Sequence, residues 1–276
     1  MTDQTTFQPD KINAAFTKQS VVYDKYEEGN LVLKWMREQV RNQALKFLKP
    51  GDRILELNSG TGADAEFFAQ KGFSVYCTDL SDGMIEQMKK KFSGKNFSDK
   101  VTIQQCSFTE LDKIGNKKFD MIFSNFGGLN CISDLRLATK FFTSLLNENG
   151  KVFLVLLPPV CPWELIQVLR GKFSFAFRRI KSGGAQANIE GIQFRTFYFS
   201  ANEIRDSLGR NFKVLKTSSL GIFTPSPQMV RFQNQFPFIT KLMTKIDEII
   251  SGVFPFNRIG DHIIVIAELN LNQPGV

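Results

Sequence analysis

The sequence predicts an α/β protein built on a doubly wound, mostly parallel sheet. Two observations in the first third of the chain support this prediction. An apolar run at 54–57 is followed by a Gly-x-Gly turn and then by a helix-like segment at 63–71. A second apolar run at 73–78 ends in Asp79. A strand, a glycine turn, a helix and a second strand ending in an acidic residue form a nucleotide-binding βαβ unit.

The turn itself has the features of a ligand-binding loop. Glycine allows a sharp bend and lets a ligand approach the backbone where a Cβ would stand. The helix that follows offers unpaired N–H groups and a partial positive charge, which suit a carboxylate or a phosphate. Asp79 suits the two hydroxyls of a ribose. The spacing is Glu56-x-Asn58-x-Gly60-x-Gly62, which differs from the Gly-x-Gly-x-x-Gly of dinucleotide-binding folds.

This spacing resembles motif I of the class I S-adenosylmethionine (SAM)-dependent methyltransferases. The segment Asp79-Leu-Ser-Asp-Gly-Met84 resembles the second motif of the same family. The resemblance implies a seven-stranded sheet whose last strand is antiparallel, and it implies SAM as the cofactor. On this resemblance, the residues expected to contact the cofactor are Tyr23, Glu56, Asn58, Gly60, Thr61, Gly62, Asp79, Leu80, Met84, Ser107, Phe108 and Asn125.

Two parts of this cofactor set rest on looser matches. Ala15-Phe16 and Tyr23-Asp24 resemble the N-terminal cap of methyltransferases that act on quinones and acyl-carrier substrates. In those relatives the tyrosine closes over the SAM carboxylate; the alternative is that Tyr23 only packs. Relatives also place an aspartate after the third strand, where it holds the adenine amino group. This sequence has Cys106-Ser107-Phe108 there, so Ser107 or the backbone is expected to replace that contact.

The fourth strand, predicted at 119–125, resembles motif IV, where the chain passes between SAM and the substrate. The next segment, 126–131, contains two glycines and polar side chains, as expected of a substrate-facing loop. It lacks the Asn-Pro-Pro-Tyr tetrapeptide associated with methylation of adenine amines. The residues expected to contact substrate are Phe126, Asn130, Arg178, Arg195 and Tyr198.

His262 is the single histidine and stands at the start of the last predicted strand. We predict it to be a catalytic base, because it is the side chain whose unperturbed pKa lies nearest neutrality. Asp261 is expected to orient it. The alternative is a structural histidine held by hydrogen bonds, and a carboxylate acceptor would need no base.

The length of 276 residues fits one domain with two insertions. In the family that the motifs resemble, the final strand starts at the SAM-binding edge, so both insertions are expected to form a lid there. The predicted parts are a helical cap at 1–49, a SAM-binding core at 50–157, lid insertions at 158–199 and 225–258, and the remaining sheet at 200–224 and 259–270.

Composition limits the setting in which the protein works. The four cysteines are spread out with no Cys-x-x-Cys pair, which argues against a disulfide framework and a structural zinc site. No cluster of metal ligands is visible, and no metal is expected. The first residues lack a basic, apolar leader, and no apolar run approaches the ~20 residues of a membrane span. The expected location is cytoplasmic.

The net charge of +8 is concentrated in one part of the chain. Residues 161–260 hold 14 Lys and Arg, 6 Asp and Glu, and 13 of the 28 phenylalanines, while the rest of the chain is balanced in charge. The simplest interpretation is a solvated basic face. The other interpretation is a lid for an apolar, acidic acceptor.

Three functions remain open. The first is a SAM-dependent methyltransferase acting on oxygen or carbon of a small hydrophobic or amphiphilic acceptor, of quinone, polyketide or acyl type. The second is an RNA or other nucleic-acid methyltransferase, supported only by the charge. The third is a non-catalytic SAM-binding assembly protein. We expect a small-molecule substrate and no nucleic acid; association of the substrate with a carrier protein or a membrane stays open, as does the oligomeric state.

Overall fold

A computed structural model describes residues 7–271. Its centre is a seven-stranded sheet with the order β3-β2-β1-β4-β5-β9-β8, in which β9 runs antiparallel to both neighbours. The predicted doubly wound sheet with an antiparallel last strand is therefore confirmed. A separate hairpin pairs β6 with β7. The strands are β1 Arg53–Leu57, β2 Ser74–Asp79, β3 Val101–Gln105, β4 Phe119–Ser124, β5 Leu146–Leu156, β6 Ala185–Ile189, β7 Ile192–Thr196, β8 Phe212–Leu220 and β9 His262–Leu269.

Helices cover both faces of the sheet and form the cap and the lid. They are α1 Pro9–Ser20, α2 Tyr23–Glu28, α3 Leu31–Leu45, α4 Ala63–Gln70, α5 Asp82–Phe92, α6 Arg136–Thr139, α7 Phe142–Leu145, α8 Pro162–Leu165, α9 Phe173–Ala176, α10 Ala201–Leu208, α11 Val230–Gln235 and α12 Pro237–Ile250.

The alternation of side chains along the strands divides the core into two layers. On one face, Leu55 and Ile122 pack with Phe142 of α7 and with α10. On the other face, Ile54 and Phe123 pack with Phe68 of α4 and with α3 and α5. Both faces of the central strands are thus buried, as parallel sheets require.

The parallel order brings the carboxyl ends of β1, β2 and β4 to one edge of the sheet, where ligands bind in open α/β folds. Two residues that follow these strands have left-handed backbone, Asn58 with φ of 46° and Phe126 with φ of 48°. Such angles are uncommon for residues other than glycine and cluster at functional sites. This edge of the sheet is therefore where a site is expected.

The apolar spacing at 134–146 predicts one helix, with its stop at Asn149-Gly150, and the structure corrects this prediction. Two short helices, α6 and α7, replace it, and the chain enters the sheet at Leu146. Leu146 pairs with Phe119, and the amide of Asn147 donates to Asp120 Oδ1 at 2.7 Å. These contacts with β4 place the start of β5 before the Asn149-Gly150 pair.

The first lid insertion also differs from prediction. The sequence predicts helices at 163–170 and 173–180. The first is present as α8 followed by a 3₁₀ helix at Ile166–Arg170, whereas the second is limited to the four-residue α9. The sequence also predicts β structure at 189–199, which starts earlier and folds back on itself as β6 and β7. Glu190 and Gly191 both have positive φ, 50° and 84°, which is the backbone of a two-residue hairpin turn.

The hairpin meets the N-terminal cap, since Phe194 of β7 packs with Ile12 and Ala15 of α1. Both lid insertions leave the sheet at the edge just described, the first after β5 and the second between β8 and β9. All four cysteines are free and buried. No helix within 7–271 is long and apolar enough to cross a bilayer. The same residues contain no group of three His, Cys, Asp or Glu side chains that could hold a metal ion.

Candidate active site

A cavity of about 100 Å³ lies where β1, β2 and β4 end, beneath the cap helices α1 and α2. Its wall contains most of the predicted cofactor residues and one predicted substrate residue. Those that line it are Tyr23, Asn58, Gly60, Asp79, Leu80, Met84, Phe108, Asn125 and Phe126.

The motif I turn forms one side of this cavity. Gly60 has φ of 57°, and a Cβ built there would lie 3.8 Å from the Tyr23 ring. The cap tyrosine therefore lies directly above the turn, separated from it by little more than the missing side chain. A larger residue at 60 would oppose the backbone angle and take up space inside the cavity.

Asp79 stands at the end of β2 with its carboxylate turned toward the turn. Its Oδ2 accepts from the Gly60 amide and its Oδ1 from the Ser81 amide, both at 2.8 Å. Burial raises the pKa of Asp79 above its ordinary value, against the lowering effect of these backbone donors. Each carboxylate oxygen can accept more than one hydrogen bond, so capacity remains for further donors such as hydroxyls.

The opposite half of the cavity is apolar. Leu80, Met84 and Phe108 line it, together with Ile12 of the cap and Cys106, which sequence analysis left out of the cofactor set. Ser107, predicted to contact the adenine, does not line the cavity, and its hydroxyl pairs with Thr109 Oγ1 at 2.8 Å. A planar aromatic ligand would find mainly carbon and sulfur surface here.

Asn58 links the ends of β1 and β4 by hydrogen bonds at the floor of the cavity. Its Nδ2 donates to the carbonyl of Asn125 at 3.1 Å, and its Oδ1 accepts from Ser124 Oγ at 2.9 Å. A Cβ at Gly128 would come within 2.3 Å of the Asn58 side chain. Asn58 thus sets the path of the chain after β4 as well as lining the cavity.

A buried charged cluster, made of Arg37, Arg41 and Asp64, lies beside this floor. Arg37 Nη1 and Arg41 Nε bind the two oxygens of Asp64 at 2.6 and 2.7 Å. Asn125 Nδ2 also donates to Asp64 Oδ2 at 2.8 Å. Sequence analysis missed all three charged residues. The available signal was the i, i+4 spacing of two arginines on the helix that precedes β1.

Glu56 lies behind the turn near this cluster and does not line the cavity. Its Oε2 is buried and accepts no hydrogen bond from the described residues. Burial, and then the charge of Asp64, raise the pKa of Glu56 well above its ordinary value. A carboxyl group in this position therefore favours the neutral form, which can donate as well as accept.

Two other motif I residues serve the helices around the turn. Gly62 begins α4 with φ of 81°, and a Cβ there would lie 2.7 Å from the Phe92 ring. Thr61 Oγ1 contacts Asp24 of the cap, and Lys91 Nζ lies 2.8 Å from Asp24 Oδ2. Gly62 allows α5 to pack closely, while Thr61 helps to hold the cap shut.

Phe126 connects the cavity to His262. The Arg37 guanidinium lies 4.7 Å from the Phe126 ring centroid, and the centroid of the His262 ring lies 5.5 Å from it. His262 is buried and lies behind Phe126, outside the cavity wall. Its Nδ1 is 3.1 Å from Asp261 Oδ2, so the expected carboxylate neighbour is present.

Asp261 belongs to a chain of ion pairs that leads into the lid. Arg179 binds Asp261 Oδ1 at 3.1 Å and Glu164 Oε1 at 2.8 Å, and Arg178 forms two bonds with Glu164 at 2.7 Å. Burial raises the pKa of Asp261, but His262 and Arg179 outweigh it and bring the value to about 2. The guanidinium of Arg178, predicted to bind substrate, is thus paired with Glu164.

The remaining predicted substrate residues also have partners within the protein. Asn130 is fully buried; its amide donates to the carbonyls of Leu157 and Phe197 and accepts from the Leu157 amide. Arg195 donates to the Gly183 carbonyl at 2.7 Å. Tyr198 lies against Arg179. Sequence spacing could not show that the Asn130 side chain stabilises the loop by hydrogen bonds to backbone groups.

The volume of the cavity indicates that the cap is closed. About 100 Å³ is smaller than the roughly 300–1,000 Å³ of typical small-molecule pockets. The cap is held down by side-chain bonds such as Asn13 to Asp82 at 2.9 Å and Asp24 to Lys91. A cofactor-sized ligand therefore needs more room than this cavity offers.

The sheet order and the cavity at its edge are those of the class I SAM-dependent methyltransferases. A family model described as a methyltransferase domain matches residues 54–150. Residues 54–150 are thus similar to a methyltransferase domain, and the chain has the fold of the class whose cofactor is SAM.

Similar proteins agree with this assignment. A demethylmenaquinone methyltransferase of Clavibacter sepedonicus is 29% identical over 127 residues, which are 45% of this chain and 49% of that protein. The chain thus spans about half the length of this curated relative. A solved structure from Listeria monocytogenes, described as a SAM-dependent methyltransferase, has a TM-score of 0.56 at 14% identity and covers 83% of this chain and 96% of its own.

A second solved structure, the cyclase SpnF, has a TM-score of 0.61 at 12% identity and covers 95% of this chain and 96% of its own. At such identities the likeness shows the fold alone. Because this neighbour is named as a cyclase, the reaction has to be argued from the site.

Two features of this site fit SAM. The Gly60 position leaves a cradle under Tyr23 that a Cβ would fill, and the buried Asp79 carboxylate has remaining acceptor capacity beside it. The apolar half of the cavity suits an adenine ring. On this fit, Asp79 would hold the ribose, and Leu80 and Phe108 would contact the base.

Proposed function

We propose that this protein transfers a methyl group from SAM to oxygen or carbon of a small hydrophobic or amphiphilic acceptor. The main support is the cavity itself, in which motif I, Asp79 and the end of β4 converge under a closed cap. Phe126 and Phe16 add an aromatic wall where the acceptor would approach. The similarity to a demethylmenaquinone methyltransferase favours a quinone-like acceptor among the candidates.

When bound, SAM supplies an electrophilic methyl carbon, so the protein has to align the acceptor and exclude water. The left-handed backbone at Phe126 holds that ring at the cavity wall, near Arg37 and His262. Tyr23 covers the turn and limits access of water from the cap side. The acceptor would lie against the Phe126 ring, because this residue follows the end of β4.

His262 is the proposed base for a hydroxyl or carbon acid. Asp261 Oδ2 lies 3.1 Å from its Nδ1 in a geometry that forms no hydrogen bond, so Asp261 would support the imidazole through its charge. Because Phe126 separates His262 from the cavity, this role requires the Phe126 ring to turn aside or a water molecule to connect the two. A carboxylate acceptor would need neither.

A turnover assay tests the proposal. Purified protein is incubated with SAM and a panel of acceptors, namely a reduced naphthoquinone, a phenol and a fatty acid, and formation of S-adenosylhomocysteine is measured. We expect turnover with at least one of them. Binding of SAM by calorimetry without turnover on any acceptor would favour a non-catalytic SAM-binding protein. Turnover on RNA alone would favour the nucleic-acid alternative.

A further inference from the structure

The helix α12 in the second lid insertion is packed with its polar side inward. Thr240, Thr244 and Asp247 are its buried residues. Phe238, Leu242 and Ile249, by contrast, are 81, 53 and 77% exposed. These three apolar residues follow one another at intervals of four and seven positions, so they form a single stripe along the helix. A helix on a globular protein normally buries such a stripe.

Hydrogen bonds fix this orientation. The Asp247 carboxylate accepts from the backbone amides of Ile222, Phe223 and Thr224 at 2.9 to 3.1 Å. Glu248 Oε1 accepts from Trp35 Nε1 at 2.8 Å, and also from Gln39. Turning the apolar stripe inward would break these charge-assisted bonds and leave buried donors without partners. The stripe is therefore a stable surface feature.

The charged side chains around the stripe indicate the charge of the partner that it would contact. Residues 225–260 contain four basic side chains, Arg231, Lys241, Lys245 and Arg258, and two acidic ones, Asp247 and Glu248. Both acidic groups are bound to the protein as just described. Lys241 and Lys245 follow Phe238 by three and seven positions and so flank or join the stripe. The exposed side of α12 thus combines apolar residues with positive charge.

The apolar surface continues beyond the helix. Val253 and Phe254, in the turn that follows α12, are 55 and 70% exposed. The neighbouring first lid insertion shares a groove of about 490 Å³ with the second, lined by Trp163, Phe173 and Met229 among others. Exposed apolar patches of this extent mark an interaction site.

We propose that this face of α12 docks the protein on an anionic lipid bilayer, with Phe238, Leu242 and Ile249 in the acyl boundary and the two lysines among the headgroups. An amphipathic helix with aromatic and aliphatic residues on one side and lysines beside them is suited to such an interface. A second copy of the chain fits less well, because a two-fold contact would bring Lys241 and Lys245 of both copies together. On the proposed function, this surface would bring the lid to a membrane-dissolved acceptor.

Co-sedimentation of the full chain with phosphatidylcholine vesicles, with and without phosphatidylglycerol, tests the proposal. We expect binding to the anionic vesicles. The double variant F238D/I249D should weaken it about tenfold or more, since two large apolar side chains leave the boundary. The control L137D/L215D makes the same charge change at exposed leucines of α6 and β8 and should bind as the parent protein does. Equal melting temperatures of the three proteins establish folding.

The lysines are tested separately. The variant K241Q/K245Q should lose about fivefold in affinity for anionic vesicles for each lysine. The control K89Q/K95Q removes two exposed lysines near the end of α5 and should lose much less. Binding of the parent protein should fall with added salt, whereas neutral vesicles should show little salt dependence.

Three outcomes would overturn the proposal. One is failure of the parent protein to bind anionic vesicles. Another is a dimer in light scattering that F238D/I249D dissociates, which would assign the face to a second copy. The third is binding to an acidic acyl carrier protein with no binding to vesicles. SAM binding and turnover on a water-soluble acceptor are measured in parallel, so loss of catalysis alone would count against the proposed function and leave the docking surface intact.

Discussion

Asp79 offers the most direct test of the cofactor site. Replacing it with alanine removes the acceptor of the Gly60 and Ser81 amides and the proposed partner of the ribose. We expect SAM affinity measured by calorimetry to fall by about 1–3 kcal/mol, or about 5–150-fold in Kd. The control is Asp99→Ala, an exposed aspartate before β3, which should bind SAM as the parent protein does. Unchanged affinity in folded Asp79→Ala would contradict the ribose assignment.

His262 is the subject of the second prediction. The variant His262→Gln keeps much of the volume against Phe126 and removes the imidazole that would accept a proton. If the acceptor needs a base, turnover should fall about 10²–10⁴-fold while SAM affinity stays nearly unchanged. A folded variant with full turnover would return His262 to a structural role. The melting temperature has to be compared first, because the residue is buried.

Asp261 makes a pH-dependent contribution to stability. Its pKa in the folded protein is lowered from 3.8 to about 2, so the contribution is present above about pH 4 and is lost as the pH falls toward 2. A shift of this size corresponds to about 2 kcal/mol. Urea unfolding of the parent protein and of Asp261→Asn should show a gap in unfolding free energy that narrows from pH 6 to pH 3. A gap that stays constant would show that the lowered pKa does not stabilise the fold.

At the scale of residues, the sequence was informative where spacing along the chain determines position. Gly60 and Asp79 follow adjacent parallel strands, so their meeting at the sheet edge could be predicted. The pairing of Arg37 with Asp64 could not, because it joins residues of two helices whose relative position depends on packing. Asn130 is a related case, since only the fold shows that its amide is used by backbone groups on two other segments.

The cap helices lead to a prediction about an element. Lys91 of α5 holds Asp24 of α2 at 2.8 Å and also donates to Thr61. Because this ion pair is partly exposed, its loss should cost about 0.2–1 kcal/mol. In Lys91→Met we expect amide exchange of residues 23–28 to quicken by about 1.5- to 5-fold, since the cap opens more often.

Lys90→Met is the matched control for this element. Lys90 is exposed and pairs with Glu86 within α5, so exchange at 23–28 should not change. Equal exchange in the two variants would show that other contacts, such as Asn13 with Asp82, hold the cap closed.

Elements with strong local patterns were predicted nearly in full. The sequence predicts a helix at 30–48 and a strand at 101–105, and α3 and β3 match these ranges within a few residues. The segment 134–146 was predicted as one helix because its apolar spacing is helical, but the structure has the two four-residue helices α6 and α7 there, and the strand that pairs with β4 begins at Leu146. A helix in the segment that forms α12 could be predicted from the sequence. Which side of this helix faces the protein could not. An apolar stripe normally faces the core, and only the bonds of Asp247 reveal the reverse.

For the molecule as a whole, the uneven charge can be traced to specific surfaces. Two of the basic residues in the lid, Arg178 and Arg179, are neutralised by Glu164 and Asp261. Others, such as Lys241 and Lys245, stand beside exposed apolar side chains on α12. Phosphate backbones are bound by charged and polar surfaces, and an apolar stripe gains nothing against them.

We therefore expect no tight binding to nucleic acid. Fluorescence anisotropy with single-stranded and duplex RNA and DNA at physiological salt should give a Kd no tighter than the ~10⁻⁴–10⁻⁶ M of non-specific contacts. The residual binding should weaken steeply with salt and should weaken further in K241Q/K245Q, because both effects follow from counterion release by lysines. In contrast, F238D/I249D should change the affinity for nucleic acid only through the two negative charges that it adds. The affinity of L137D/L215D should therefore change to the same extent. A nanomolar Kd for one RNA, retained over others at the same salt, would contradict this expectation and make the lid a nucleic-acid surface.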